Sequence, residues 1–144
     1  MHSIIRGPAL VAAGFAALTS AQTSPQPVQT AGGFTYSVCA VEPFDNGLSN
    51  TRALHGGSMV ALNNMTVEAC ATYCAAFTYF GVEYGSECYC GDRINQATTV
   101  DSTGGCNFPC AGAAGEQCGG SGRMNLYTYV ASFHHMQCRH SRND

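Results

Sequence analysis

The chain contains no lysine. Its six basic residues are all arginine, and Asp, Glu, Lys and Arg together make up only 10% of its 144 residues. With a formal net charge of −3 at neutral pH, it offers no basic patch for the phosphates of a nucleic acid or for an anionic membrane surface. Histidine is nearly as scarce where it would count. His55 is the only one between residues 34 and 130, which argues against a Ser/His/Asp triad and against mixed Cys/His zinc sites in that span. Long apolar runs are also missing. The best of them, Pro8 to Leu18 (PALVAAGFAAL), falls well short of the roughly 20 residues that cross a bilayer. The surface must therefore be wetted by Ser, Thr, Asn, Gln and Tyr, a composition that suits neutral ligands better than ionic ones.

What is present points to export. Met1 to Arg6 carries one basic charge, the apolar run follows, and Thr19-Ser20-Ala21 supplies small residues for cleavage. This order predicts a secretory signal peptide over 1–21. Residues 22–33 (QTSPQPVQTAGG) lack apolar periodicity and read as a flexible linker. An ordered domain is expected over 34–130, and the remainder, 131–144, reads as a disordered tail. Nine cysteines in an exported chain imply a disulfide framework. Eight of them (39, 70, 74, 88, 90, 106, 110 and 118) lie in the domain, an even number that permits complete internal pairing. Cys138, among His134, His135 and His140, is left over in the tail and is available for an interchain disulfide.

Within the domain, Thr66 is a good helix N-cap, Glu68 complements the helix dipole, and VEACATYCAAF reads as a helix. Val67, Cys70 and Cys74 share one stripe of it. The alternating, aromatic-rich YFGVEYGSECYCG then predicts two strands joined by a tight turn near Gly85-Ser86. MNLYTYV predicts a final strand, and most of 91–123 reads as loop. Cys70 and Cys74 are four apart on a helix and differ in height by about 6 Å. Cys88 and Cys90 are two apart on a strand and differ by about 7 Å. A helix lying along that strand can thus carry two disulfide rungs, in either of two pairings. The same alternation turns Glu87 and Tyr89 to the other face.

These residues carry a resemblance. The helix opened by Met65-Thr66-Val67-Glu68 with its CxxxC, Gly81-Val82-Glu83-Tyr84-Gly85, Glu87-Cys88-Tyr89-Cys90-Gly91, Cys106-Asn107-x-Pro109-Cys110, Cys118-Gly119-Gly120, Leu126-Tyr127 and the early Arg52-Ala53-Leu54 together resemble a WSC domain. The resemblance spans nearly all of 34–130. It implies an α+β fold, a small disulfide-rich PAN-like domain with one main helix packed on a short antiparallel sheet. It also implies the pairings Cys39–Cys106, Cys70–Cys88, Cys74–Cys90 and Cys110–Cys118. Its functional implication is a secreted, non-catalytic module for carbohydrate, directed in fungi at wall polysaccharide such as β-glucan. The alternatives are a protein-interaction or structural extracellular module, and a fragment of a longer sensor or enzyme that carries such a domain.

Sugar recognition needs an aromatic face beside amides or carboxylates. The candidates are Tyr84, Tyr89 and Tyr79 with Glu83, Glu87, Asp92 and Asn107. Two carboxylates such as Glu83 and Glu87 invite comparison with a glycosidase pair, but nothing raises this above coincidence, and no catalytic set, cofactor or metal is assigned. Arg52 is expected in an ion pair or backbone contact, and His55, in the Gly-rich LHGGS, is expected to be exposed. Asn64-Met65-Thr66 is an N-glycosylation sequon whose threonine would double as the helix cap.

Overall fold

The structure, a computed structural model, describes residues 23–43 and 52–130. The segment expected as a signal peptide, the 44–51 segment and the tail with Cys138 lie outside the described residues.

Two long strands form the middle of the domain, β2 (Phe34–Val41) and β11 (Arg123–Tyr129, buried on both faces over Met124–Tyr127), paired antiparallel from Phe34↔Tyr129 to Val41↔Arg123. The ends of this pair lie far apart in sequence, so the fold is closed by chain termini rather than by one local hairpin. The predicted hairpin is β5 (Tyr79–Glu83) with β6 (Glu87–Gly91), and β5 docks on the other side of β11. Short strands complete the set: β1 (Thr30–Ala31), β3 (Leu54–His55), β4 (Met59–Ala61), β7 (Arg93–Ile94), β8 (Thr99–Val100), β9 (Pro109–Cys110) and β10 (Ala113–Gln117). The main sheet runs β1-β2-β11-β5-β6-β4, with β8 also on β2, and curls into a half-barrel.

Part of the expected linker belongs to this assembly. Thr30 and Ala31 pair with Thr35 and Phe34, and Gln26 bridges to Glu116. Four strands likewise occur in the stretch expected as loop.

The expectation of an α+β domain with one main helix on a short sheet is overturned. Among the described residues 45% are strand, and the single helix, α1 (Val67–Tyr73), has 7 residues. Thr66 does cap it, its Oγ1 accepting from the Ala69 N–H at 3.1 Å. The helix was expected to continue to Phe77, yet it stops at Cys74, whose φ of −95° and ψ of 15° leave helical space. Beyond Cys74 the chain makes tight turns instead, Phe77 N–H bonding the Cys74 carbonyl. Seven residues rise only about 10 Å, too little to cover the sheet, so strand pairing dominates the architecture.

The sheet's two faces carry two apolar clusters. On the helix side Phe34, Phe80 and Tyr127 pack together, Phe80 and Tyr127 stacked with centroids 4.4 Å apart, above Val67, Cys70, Ala71 and Cys74. On the other side Ala53, Leu54, Tyr89, Met124 and Leu126 gather. Gly81 is obligatory here, because a Cβ would overlap the Met124 side chain. Four disulfides tie the frame: Cys39–Cys106, Cys70–Cys88, Cys74–Cys90 and Cys110–Cys118. These are the pairs implied by the family resemblance. The middle two are the adjacent rungs between helix and strand, with Cys74 Sγ and Cys88 Sγ of neighbouring bonds 3.6 Å apart.

Candidate functional site

The seven candidate residues fall into three groups around the β5–β6 hairpin. Five residues per strand set the turn end and the open end about 14 Å apart.

At the turn stands Tyr84. It adopts φ +50°, followed by Gly85 at +75°. Glycine takes such a conformation freely, whereas a tyrosine is found there rarely and at some cost. The turn is held from both sides: Gly85 N–H donates to the Cys118 carbonyl at 2.9 Å, and the Gly85 carbonyl accepts from Ala111 N–H at 2.9 Å. Cys110–Cys118 staples the two segments that provide those bonds. Phe108 is fixed by the same staple, exchanging bonds of 2.9 and 2.8 Å with Gly119 and Cys118. The result is an outward aromatic pair. Tyr84 is 47% exposed and Phe108 39% exposed, with ring centroids 6.3 Å apart and planes at 73°. The Tyr84 hydroxyl shares a 3.0 Å hydrogen bond with Ser121 Oγ, and Asn107, adjacent to Phe108, is exposed. Two exposed rings, one hydrogen-bonded to a serine hydroxyl and the other next in sequence to an exposed amide, form an uncharged surface.

Glu83 and Glu87 are the pair that closes the turn, and with Tyr89, midway along β6, they belong to an ionic cluster. Glu83 is 1% exposed and accepts from Arg52 Nη1 at 3.0 Å. Glu42, also buried, accepts from the Ala53 N–H at 2.6 Å, and its Oε1 lies 3.9 Å from Arg52. Burial, and then the nearby Glu42 charge, pushes the Glu83 carboxyl up to about 8, and burial raises Glu42 as well. Tyr89 donates to Glu87 Oε2 at 2.8 Å and lies under Arg52, whose guanidinium carbon is 4.6 Å from the ring centre. Tyr89 is turned away from the helix, but it is only 6% exposed. It is a covered ring with no face free for a sugar.

At the open end, Asp92 Oδ1 accepts from both the backbone N–H and the hydroxyl of Thr78, at 3.0 and 3.1 Å. Tyr79 packs half-buried on the second apolar cluster. Both serve to fix the entry of β5. Thus Tyr84 stands beside Phe108, the neighbour of Asn107 in sequence, while Glu83 and Glu87 flank the same turn but are tied into the Arg52 cluster, and Tyr79 and Asp92 lie at the open end.

Two residues of the aromatic surface, Phe108 and Ser121, escaped sequence reading. Their one signal was Phe108 itself, an apolar residue in a loop between two cysteines with no periodic apolar partner. His55 departs from expectation too. It lies half-buried in β3, paired with Arg93 of β7, and borders a cleft of about 280 Å³ with Arg52, Ser58, Met59 and Tyr89. The sulfurs of Cys70, Cys74 and Cys88 lie within 4.8 Å of one another, but each is spent in a disulfide and offers no thiolate to a metal. No helix among the described residues is long and apolar enough to cross a membrane.

Comparison with known proteins bears on the same span. A family model described as WSC domain matches residues 36–120. A Chaetomium globosum protein named "Putative fungistatic metabolite" is 48% identical over 81 residues, covering 55% of this chain and 36% of its own length. A WSC domain-containing protein of Arthroderma benhamiae is 41% identical over 96 residues, 67% of this chain and 12% of its own. A xylosyltransferase of Caenorhabditis briggsae is 42% identical over 55 residues, 38% of this chain and 7% of its own. The chain therefore spans about a third or less of the length of these relatives.

Proposed function

The chain belongs to the WSC domain family, and from that premise we propose that it is a secreted, non-catalytic carbohydrate-binding module for a neutral fungal wall polysaccharide such as β-glucan. The observation that carries this reading is the Tyr84–Phe108 pair. A pyranose ring presents axial C–H groups to an aromatic face and hydroxyls to its rim. Tyr84 and Phe108 supply the first partner, and Asn107 and Ser121 the second. The surface is held by a disulfide and by backbone hydrogen bonds, so binding immobilises little that was mobile, which is the condition for useful affinity from a shallow contact. The φ of Tyr84 adds weight, since strained conformations persist where function requires the side chain at that place.

A non-catalytic role is favoured by the fate of the carboxylates. A glycosidase needs two carboxyl groups facing one bond in an open cleft. Glu83 is buried under Arg52 and Glu87 is occupied by the Tyr89 hydroxyl. In the relatives the matched segment is a small fraction of a much longer chain, as an accessory module would be. The disulfide framework supports the extracellular assignment.

The test is retention of the oxidised protein on insoluble β-1,3-glucan, chitin and cellulose, with Tyr84→Ala, Phe108→Ala and Tyr89→Phe run in parallel. The reading expects capture on one matrix, release by its soluble oligomer, and loss in the first two variants only. Absence of capture on all three, from protein with four intact disulfides, would sink it for these ligands.

A further inference from the structure

The sequon Asn64-Met65-Thr66 lies in an unusual setting. Asn64 is exposed, while Met65 is fully buried and its carbonyl accepts from Gly112 N–H at 2.8 Å. Thr66 is part-buried, and its Oγ1 accepts the Ala69 N–H as the helix cap, which fixes the hydroxyl in place while its O–H stays free to donate. Gly112 is pressed against the sequon so closely that a Cβ there would overlap the Asn64 carbonyl. An N-glycosylation acceptor is defined by asparagine and a hydroxyl two residues on, so the transferring enzyme must reach both. In the folded domain the asparagine is accessible, but the hydroxyl is fixed in position as the cap and the backbone between them is pinned.

We propose that Asn64 is an N-glycosylation site modified on the unfolded chain, before Thr66 caps α1. The inference rests on the export reading above. The amide nitrogen of Asn64 attacks the anomeric carbon of a lipid-linked pyrophosphoryl oligosaccharide. The new bond is N–C1, the bond broken is C1–O to the pyrophosphate, one amide proton is lost to base, and the lipid pyrophosphate departs. Folding then locks the cap, and the order cannot be reversed. The glycan is left on the end of the domain that bears Tyr84, since the loop before it is tied to the hairpin turn by Leu62 N–H to the Ser86 carbonyl at 2.9 Å.

The full chain made in a eukaryotic secretory host should lose mass on treatment with a peptide N-glycosidase. Asn64→Gln and Thr66→Asp should both lack that glycan, whereas Thr66→Ser should keep it. Thr66→Asp is the informative variant, because Asp caps a helix as well as Thr does but breaks the sequon, so loss of the glycan there is not loss of the fold. Folded, unglycosylated protein offered to a microsomal transferase should stay unmodified, and the reduced, unfolded chain should be modified. Parent chain recovered from the medium with four disulfides and no glycan overturns the proposal, and modification of the folded form overturns its order of events. Parent chain found reduced and unmodified in the cytosol instead overturns the export reading, and the proposal with it.

Discussion

Arg52 spans Tyr89 and Glu83: its guanidinium carbon rests 4.6 Å from the ring centre while Nη1 donates to the Glu83 carboxylate at 3.0 Å. One side chain therefore covers a buried ring and faces two buried carboxyl groups, Glu83 and the more distant Glu42. This relationship makes Tyr89 and the turn-flanking Glu83 structural, whereas Tyr84, one residue on, stays exposed.

Arg52→Ala should consequently destabilise the domain without touching the aromatic pair at the turn. Breaking a fully buried ion pair costs several kcal/mol, but the Arg52 side chain is 51% exposed and partly screened. A loss of about 1–3 kcal/mol in urea unfolding is expected above about pH 8, where Glu83 is ionised, and a smaller one at neutral pH, where its carboxyl is mostly protonated. Arg52→Lys should recover only part of it, since an ammonium cannot reproduce the planar stack on Tyr89. Polysaccharide retention by the folded fraction should be unchanged in both.

The Glu83 carboxyl makes stability depend on pH in a stated direction. Burial raises it from its ordinary value of 4.5 to about 8, so the folded state binds a proton more tightly than the unfolded chain. Its stabilising contribution is fully present below about pH 4.5 and is lost as pH rises through about 8. Glu42 is raised by burial as well and adds to the same slope. Unfolding free energy should fall between pH 5 and pH 8 by on the order of 1 kcal/mol per unit. Glu83→Gln, which keeps an acceptor for Arg52, should flatten that slope. An unaltered slope in the variant would move the cause elsewhere.

Much of this was written in local patterns. Thr66 could be read as a cap because its hydroxyl acts three residues away, and the hairpin around Gly85 because alternation and glycine are short-range signals. The CxxxC and CxC spacings announced two rungs, although their pairing needed the family pattern. What failed depended on distance in sequence. Alternation placed Tyr89 on the correct face, but nothing local showed that Ala53, Leu54 and Arg52 would fold over it. The helix was drawn too long because helix-forming residues continue to Phe77, while tethering of Cys74 to Cys90 and the turn behind it end the helix sooner. Phe108 was missed for the same reason. Its neighbour Tyr84 is 24 residues earlier in the chain, and only the Cys110–Cys118 staple brings the two loops to one surface.

Tyr84 should prove replaceable for folding and not for binding. A left-handed backbone suits Asn better than Tyr, and that gain offsets the loss of the Ser121 hydrogen bond and the contact with Phe108. Tyr84→Asn is expected to unfold within about 1 kcal/mol of the parent yet to lose retention on the polysaccharide that the parent binds. Tyr89→Ala should show the reverse pattern, a cost of about 3–5 kcal/mol for emptying a covered aromatic site. Equal effects of the two substitutions on thermal unfolding would contradict the assignment of one as surface and the other as core.

The disulfides should divide in the same manner. In the chain-entropy view a bond stabilises according to the loop it closes. Cys39–Cys106 joins residues 67 apart and Cys110–Cys118 residues 8 apart, which corresponds to about 4.4 and about 2.5 kcal/mol. The paired change Cys39→Ser with Cys106→Ser should therefore lower the unfolding midpoint more than Cys110→Ser with Cys118→Ser. Binding should rank them the other way. The small loop carries the carbonyl of Cys118 to the N–H of Gly85 and holds Phe108 beside Tyr84, so relaxing it frees both rings while the sheet survives. Near-parent near-ultraviolet dichroism for the sheet core, with retention reduced in the Cys110/Cys118 pair, would establish that this shortest bridge organises the sugar surface. Unimpaired retention in that pair would mean that backbone hydrogen bonds alone suffice to hold Tyr84 and Phe108 together.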